Sequence, residues 1–196
     1  MECAKFVMRD GRTVYLRPAT ESDAGPFILA IDSISREQVY FIRSRFDVEE
    51  EKEQAFIAKA RAHGNLILVA ANSTQIVGWV TLFRAQAEFQ RHTAQLGMGV
   101  VQGYRGAGLG TALINCALAW AARNGIEKVK LGVRASNERA RSLYHKIGFV
   151  EEGYRLRDIK DTQGRYDDHV EMSYFVTRAA SAAAERAQGV ADARTS

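Results

Sequence analysis

The run Arg105-Gly106-Ala107-Gly108-Leu109-Gly110-Thr111 carries the densest chemical signal in the chain. Glycines let a backbone turn tightly and let a ligand reach the main chain without meeting a Cβ. An apolar run at 95–101 precedes it, and Leu109, Leu113, Cys116 and Trp120 follow at helical spacing. The first turn of a helix offers unpaired N–H groups and the positive end of the helix dipole. A strand, glycine turn and helix in this order suit phosphate or pyrophosphate, the alternative being a tight turn without a ligand. Two nucleotide motifs fail on spacing. No Gly-Lys-Ser or Gly-Lys-Thr closes a Walker loop. A dinucleotide fingerprint begun at Gly106 and Gly108 meets Thr111 at its third glycine, and Val133-Arg134 stands where its ribose-binding acid should be.

Asn137 and Tyr144 lie seven residues apart and share one face of a short helix. Asn137 suits the helix cap, and Tyr144 suits either a core position or a proton donor. Glu88, His92, Asp168 and His169 are candidate bases or acceptor-site groups, each with a solvated or structural alternative. Two cysteines, Cys3 and Cys116, are too few for a disulfide framework or a thiolate metal site. No metal is expected, and Cys116 reads as an inert core thiol in a reducing, cytoplasmic setting.

The elements that must position these groups follow from patterning. The chain has 196 residues, 46% of them hydrophobic and 26% charged, which suits one filled core and excludes disorder. One domain over 1–177 is expected, with an Ala-rich tail at 178–196. A net charge of +4 spread along the chain gives no clustered patch for nucleic acid. No apolar run is long enough to span a bilayer, so no membrane role is expected. Residues 13–17 alternate as a strand, Thr20 or Ser22 can cap a helix through Ile31, and 47–63 reads as a second helix with an acidic first turn. Residues 66–71 and 76–83 form a hairpin about Asn72-Ser73-Thr74. Gly97 and Gly99 inside the run at 95–101 predict a bulge or the close approach of another backbone. A strand at 129–133, a helix at 137–146 and strands at 149–157 and 170–176 complete an α/β or α+β domain. Between Arg134 and Arg165 there are eight cationic residues against five acidic ones.

One combination spans about 45 residues: Arg105-x-x-Gly108-x-Gly110, then a helix and a strand, then Asn137-x-x-Ala140-x-x-Leu143-Tyr144 and Gly148-Phe149. It resembles the GNAT superfamily of N-acetyltransferases, and Tyr15-Leu16-Arg17-Pro18-Ala19 resembles that family's opening strand. The resemblance implies a mixed, mostly antiparallel sheet with splayed central strands flanked by helices. It implies acetyl-CoA as co-substrate, with Met98, Gly99 and Val100 along pantetheine. Arg105, Gly106, Ala107, Gly108, Leu109, Gly110 and Thr111 would lie at the pyrophosphate, and Asn137 beside CoA. Tyr144 would be the general acid for the departing thiolate, and a backbone N–H near Val100 would stabilise the oxyanion.

The implied partner is an amine. Ribosomal-protein alanine acetyltransferases carry a glutamate where this chain has Gly132, which argues against that peptide branch. Residues 91–98 and 164–168 look closer to small-molecule relatives such as L-amino acid N-acyltransferases. The expected function is acetyl transfer to the primary amine of a small molecule. Its rivals are a protein N-terminal or lysine acetyltransferase and a non-catalytic CoA-binding module. A homodimer is compatible with either enzyme reading.

Overall fold

Side-chain alternation sets the centre of the molecule. In β3 (Leu66–Ala71) all six residues are buried, with Leu66, Leu68 and Ala70 in one core and Ile67, Val69 and Ala71 in the other. A strand covered on both faces reads as a continuous apolar run. β4 (Ile76–Arg84) pairs with it through a turn in which Asn72 Oδ1 accepts from the N–H groups of Thr74 (2.9 Å) and Gln75 (3.0 Å). That Asx turn is the chemistry expected of Asn72.

The computed structural model describes residues 4–41 and 44–176. The expected tail at 178–196 and Cys3 lie outside them. The remaining strands are β1 (Ala4–Val7), β2 (Thr13–Pro18), β5 (Thr93–Val100), β6 (Lys128–Arg134), β7 (Val150–Lys160) and β8 (Tyr166–Phe175). The helices are α1 (Ala24–Ser35), α2 (Glu50–Ala62), α3 (Leu109–Arg123) and α4 (Glu138–Ile147). One sheet runs β1-β2-β3-β4-β5-β6-β8-β7, antiparallel everywhere except between β5 and β6. This is the α+β, mostly antiparallel architecture implied by the resemblance.

α3 packs on one face through Leu109, Leu113, Ile114, Ala117 and Ala121. Cys116 and Trp120, expected on the buried face, sit at its margin and are only partly buried. Burial still raises the Cys116 thiol above its ordinary pKa. Leu113 is fully buried, so Leu113→Ala would cost roughly 2–5 kcal/mol. α1 and α2 cover the opposite face around Phe27, Ile34, Ile57 and Trp79.

Other expectations change as well, among them the start of β8, which lies at Tyr166 rather than 170. The edge strand β1 was not expected, because Ala4-Lys5-Phe6-Val7 is too short for alternation to register. α2 starts at Glu50 rather than 47, with Glu49 extended at its N-cap. No bulge interrupts β5 against β4, whose register is continuous from Gly78↔Val100 to Arg84↔Ala94. The glycines instead make room for side chains from β4. A Cβ on Gly99 would lie 2.4 Å from the Trp79 ring, and one on Gly97 2.9 Å from Thr81 Oγ1.

Candidate active site

β5 and β6 pair at only three positions, Thr93↔Lys128, Ala94↔Val129 and Gln95↔Lys130. Beyond Gln95 they part, and the gap opens into a cavity of about 890 Å³, within the size range of small-molecule sites. Val101 N–H bonds back to Val77 O at 3.0 Å. Amides alternate along a strand, so those of Met98 and Val100 face the opposite edge, toward the gap. Met98, Gly99 and Val100 line the cavity, as do Arg105, Gly106, Gly108, Gly110, Thr111, Asn137 and Tyr144. Ala107 and Leu109 are 6% and 1% exposed, with their side chains in the core, which leaves the main chain as their contribution.

The glycine turn is held from three sides. Gly106 and Gly108 have φ of 83° and 91°, in the left-handed region, and Gly108 is the N-cap of α3. A side chain in that region costs about 1–2 kcal/mol. Ala107 O accepts the Arg9 N–H at 3.0 Å. The Arg105 guanidinium forks onto Glu37 at 2.6 and 2.8 Å, donates through Nε to Val100 O at 2.7 Å and stacks 4.5 Å from the Tyr40 ring centre. Arg105 therefore contributes position to the turn, because its charge is already answered by Glu37. The six amide N–H groups of residues 106–111 have no hydrogen-bond partner among the described residues. Successive unpartnered amides at a helix start form an anion cradle.

Sequence reasoning missed the cations around that cradle. Arg9 and Arg139 flank it: a Cβ on Gly108 would lie 3.6 Å from Arg9 Nε, and one on Gly106 3.6 Å from Arg139 Nη2. Lys146 also lines the cavity. The cationic surplus after Arg134 pointed toward Arg139 and Lys146, whereas nothing in the sequence singled out Arg9.

Asn137 caps α4, its Oδ1 accepting the Ala140 N–H at 3.2 Å. This fixes the helix that presents Tyr144 to the cavity. Tyr144 packs 5.6 Å from the Phe149 ring, and burial pushes its phenol well above the ordinary value. The phenol therefore keeps its proton across the physiological range. Its hydroxyl has no protein hydrogen-bond partner among the described residues.

The four candidate bases separate. Glu88 and His92 are exposed, and His92 immediately precedes β5, at the end of the strand away from Met98 and Val100. Asp168 accepts the Arg157 N–H at 2.7 Å and does not line the cavity. His169 lines it, together with Arg155, Glu171 and Gly132. Among the described residues no group of three or more His, Cys, Asp or Glu is placed to hold a metal ion, and no helix is long and apolar enough to cross a membrane.

Comparison with known proteins gives a consistent result. The profile of the acetyltransferase (GNAT) family matches residues 30–149. An uncharacterized N-acetyltransferase of Mycobacterium tuberculosis is 37% identical over 112 residues, which is 57% of this chain and 65% of that relative. The chain thus spans just under two thirds of that relative's length. Among solved structures, the acetyltransferase of GNAT family from Streptococcus pneumoniae superposes with a TM-score of 0.79 at 26% identity, covering 83% of this chain and 99% of that one. A GNAT superfamily phosphinothricin acetyltransferase from Sinorhizobium meliloti, in complex with acetyl-CoA, superposes with a TM-score of 0.76 at 16% identity, covering 83% and 88%. At that identity the second likeness bears on the fold.

Proposed function

The chain belongs to the acetyltransferase (GNAT) family, and from that premise we propose that it transfers the acetyl group of acetyl-CoA to the primary amine of a small molecule. One observation carries the reading: six unpartnered amides stand at the head of the cavity that opens where β5 and β6 part. Pyrophosphate is the part of acetyl-CoA that such a cradle fits. Each charged hydrogen bond there is worth about 1.5–3 kcal/mol. The free edge of β5 supplies the Met98 and Val100 amides for the pantetheine arm and for the thioester oxygen.

The chemistry follows from the order of these groups. A neutral amine attacks the thioester carbon, and negative charge develops on its oxygen. A backbone N–H already aimed at that position stabilises the charge without reorganisation, and Val100 is the amide assigned to it. Collapse of the adduct expels a thiolate, and Tyr144 donates its proton to the sulfur. The buried phenol is protonated when the thiolate needs it, and its hydroxyl is free of protein acceptors. Free Cys116 is compatible with a reducing compartment such as the cytoplasm.

The small-amine assignment is supported by the His169 ring, which fills the space over Gly132 in a cavity wall that Arg155 and Glu171 also line. Release of free CoA, followed with amino acids, their decarboxylated amines and short peptides at saturating acetyl-CoA, tests the proposal. Small amines should win in kcat/KM. Peptides ahead by a wide margin would transfer the reading to protein acetylation, and binding without turnover would leave a CoA-binding module.

A further inference from the structure

An amine acceptor is an ammonium at neutral pH, and its nitrogen cannot attack until a proton has left. Among the described residues lining the cavity, two side chains are ordinary proton acceptors, His169 and Glu171. Glu171 Oε1 is held by Arg155 Nη2 at 2.8 Å. His169 Nε2 has no hydrogen-bond partner among the described residues, whereas Nδ1 lies 3.2 Å from Asp158 Oδ2. The Arg155 guanidinium touches the same Nδ1, but it also has Glu171 and, at 3.5 Å, Asp158 as carboxylate partners. Because a guanidinium only donates, Arg155 and Asp158 compete for Nδ1, and the tautomer with Nδ1–H on Asp158 has Arg155 turned to its carboxylates. In that tautomer the lone pair lies on Nε2, beside Gly132 in the cavity wall.

The fold places that nitrogen by two devices. β8 pairs with β6 at Gly132↔Glu171 and Arg134↔His169, so the imidazole leans back over the middle of β6. A Cβ on residue 132 would lie 2.0 Å from Nε2, so the ring occupies space that only glycine leaves open. Opposite, β7 slips register between Arg155↔His169 and Ile159↔Asp167. Arg157 takes a φ of 53° within this bulge, pinned by Asp168, and Asp158 is brought against the ring. Bulges of this kind often re-aim a side chain beside an active site.

We propose that His169, oriented by Asp158 and admitted by the bare Cα of Gly132, is the catalytic base that deprotonates the acceptor amine, a role that rests on the acetyl-transfer reading above. His169 Nε2 takes one proton from the ammonium and passes it to solvent. The freed lone pair forms the C–N bond, and collapse of the adduct breaks the C–S bond. The second proton, lost by the nitrogen at collapse, replaces the one Tyr144 gives to sulfur. The sum is ammonium plus thioester to amide, CoA thiol and one proton. Arg155, Asp158 and Glu171 are the charged groups that face the ring.

The test uses the full chain with the best acceptor among amino acids, their decarboxylated amines and short peptides. His169→Ala should lower kcat by about a hundredfold, the scale of general-base loss. Its acetyl-CoA affinity by calorimetry should stay within twofold, and millimolar imidazole should restore part of the rate. Gly132→Ala should lower kcat in the wild-type background and change nothing further in His169→Ala. Undiminished turnover of His169→Ala, or an equal cost of Gly132→Ala in both backgrounds, overturns the assignment while leaving acetyl transfer intact. A wild-type chain that acetylates none of these amines overturns both.

Discussion

At the head of α3 the cavity wall carries Arg9 and Arg139, neither of which meets a carboxylate among the described residues. At the β7–β8 end Arg155 meets two carboxylates, and Arg134 is paired with Asp167 at 3.0 Å. The first end leaves cations and amides unanswered, so an anionic ligand gains their full attraction. The second end answers its charges internally, so a ligand there would have to break existing pairs. In the proposal above, the first end would hold the phosphates and the second would hold geometry around the reacting nitrogen. Tyr144 lies between them, buried and without a protein partner for its hydroxyl.

The largest effect should come from that dividing residue. Tyr144→Phe should lower kcat by roughly tenfold to several hundredfold, since water can replace part of a general acid. Acetyl-CoA affinity should hardly move, and thermal stability should not fall, because no protein hydrogen bond is lost. The direction of the phenol's shift has a further consequence. Its folded-state pKa lies above the ordinary value, so the donor form persists as pH rises. A basic limb in wild-type kcat below about pH 10 would therefore have to arise elsewhere. If that limb vanished in Tyr144→Phe, the phenol would be titrating there, and its upward shift would be contradicted while the proton-donor role stood.

A smaller effect sharpens the contrast directly. Arg9→Ala with Arg139→Ala should weaken acetyl-CoA roughly tenfold to thirtyfold, at about 1 kcal/mol per exposed charge at low salt. The loss should shrink at 1 M salt, where screening shortens to ~3 Å. The acceptor KM should stay put. Equal losses for both substrates would mean that the two ends are not separate, a result read from steady-state kinetics at two ionic strengths.

The smallest effect concerns the geometry-holding end. Asp168→Ala removes the carboxylate that pins Arg157 N–H, worth about 1 kcal/mol. In a chain of this length that is a fall in Tm of roughly 2–4 °C. The acceptor kcat should fall a few-fold as Asp158 loosens, with acetyl-CoA affinity unchanged. Calorimetric melting and binding on one sample check both.

Much of the glycine-turn end of the cavity was legible in the sequence because its parts are local. The glycine turn, the helix after it, and the Asn137–Tyr144 face each lie within a few turns of chain. What was not legible depends on strands distant in sequence becoming neighbours. Nothing near Gly132 announces His169, 37 positions on, until β8 is known to lie against β6. Arg105 read as a ligand for the cofactor because Glu37, 68 positions away, has no visible link to it in the sequence. The cationic surplus between Arg134 and Arg165 did not say which of its cations would be left unpaired. Arg134, Arg141, Arg155 and Arg165 each meet an acid, which leaves Arg139 beside the glycine turn and Lys146 elsewhere on the cavity wall. His92 and Glu88 looked eligible as bases until the direction of β5 placed them beyond its far end.

Titration of acetyl-CoA into the wild-type chain and into Gly108→Val tests the central claim most directly. Gly108 sits at φ 91° as the N-cap of α3, and a β-branched residue there costs on the order of 1–3 kcal/mol in its present conformation. Relief of that strain would turn the amides of the cradle away from their common focus. One molecule should bind per wild-type chain, and the variant should still melt cooperatively while binding at least tenfold more weakly. Equal affinity in the two chains, or no binding to the wild type, would contradict the account.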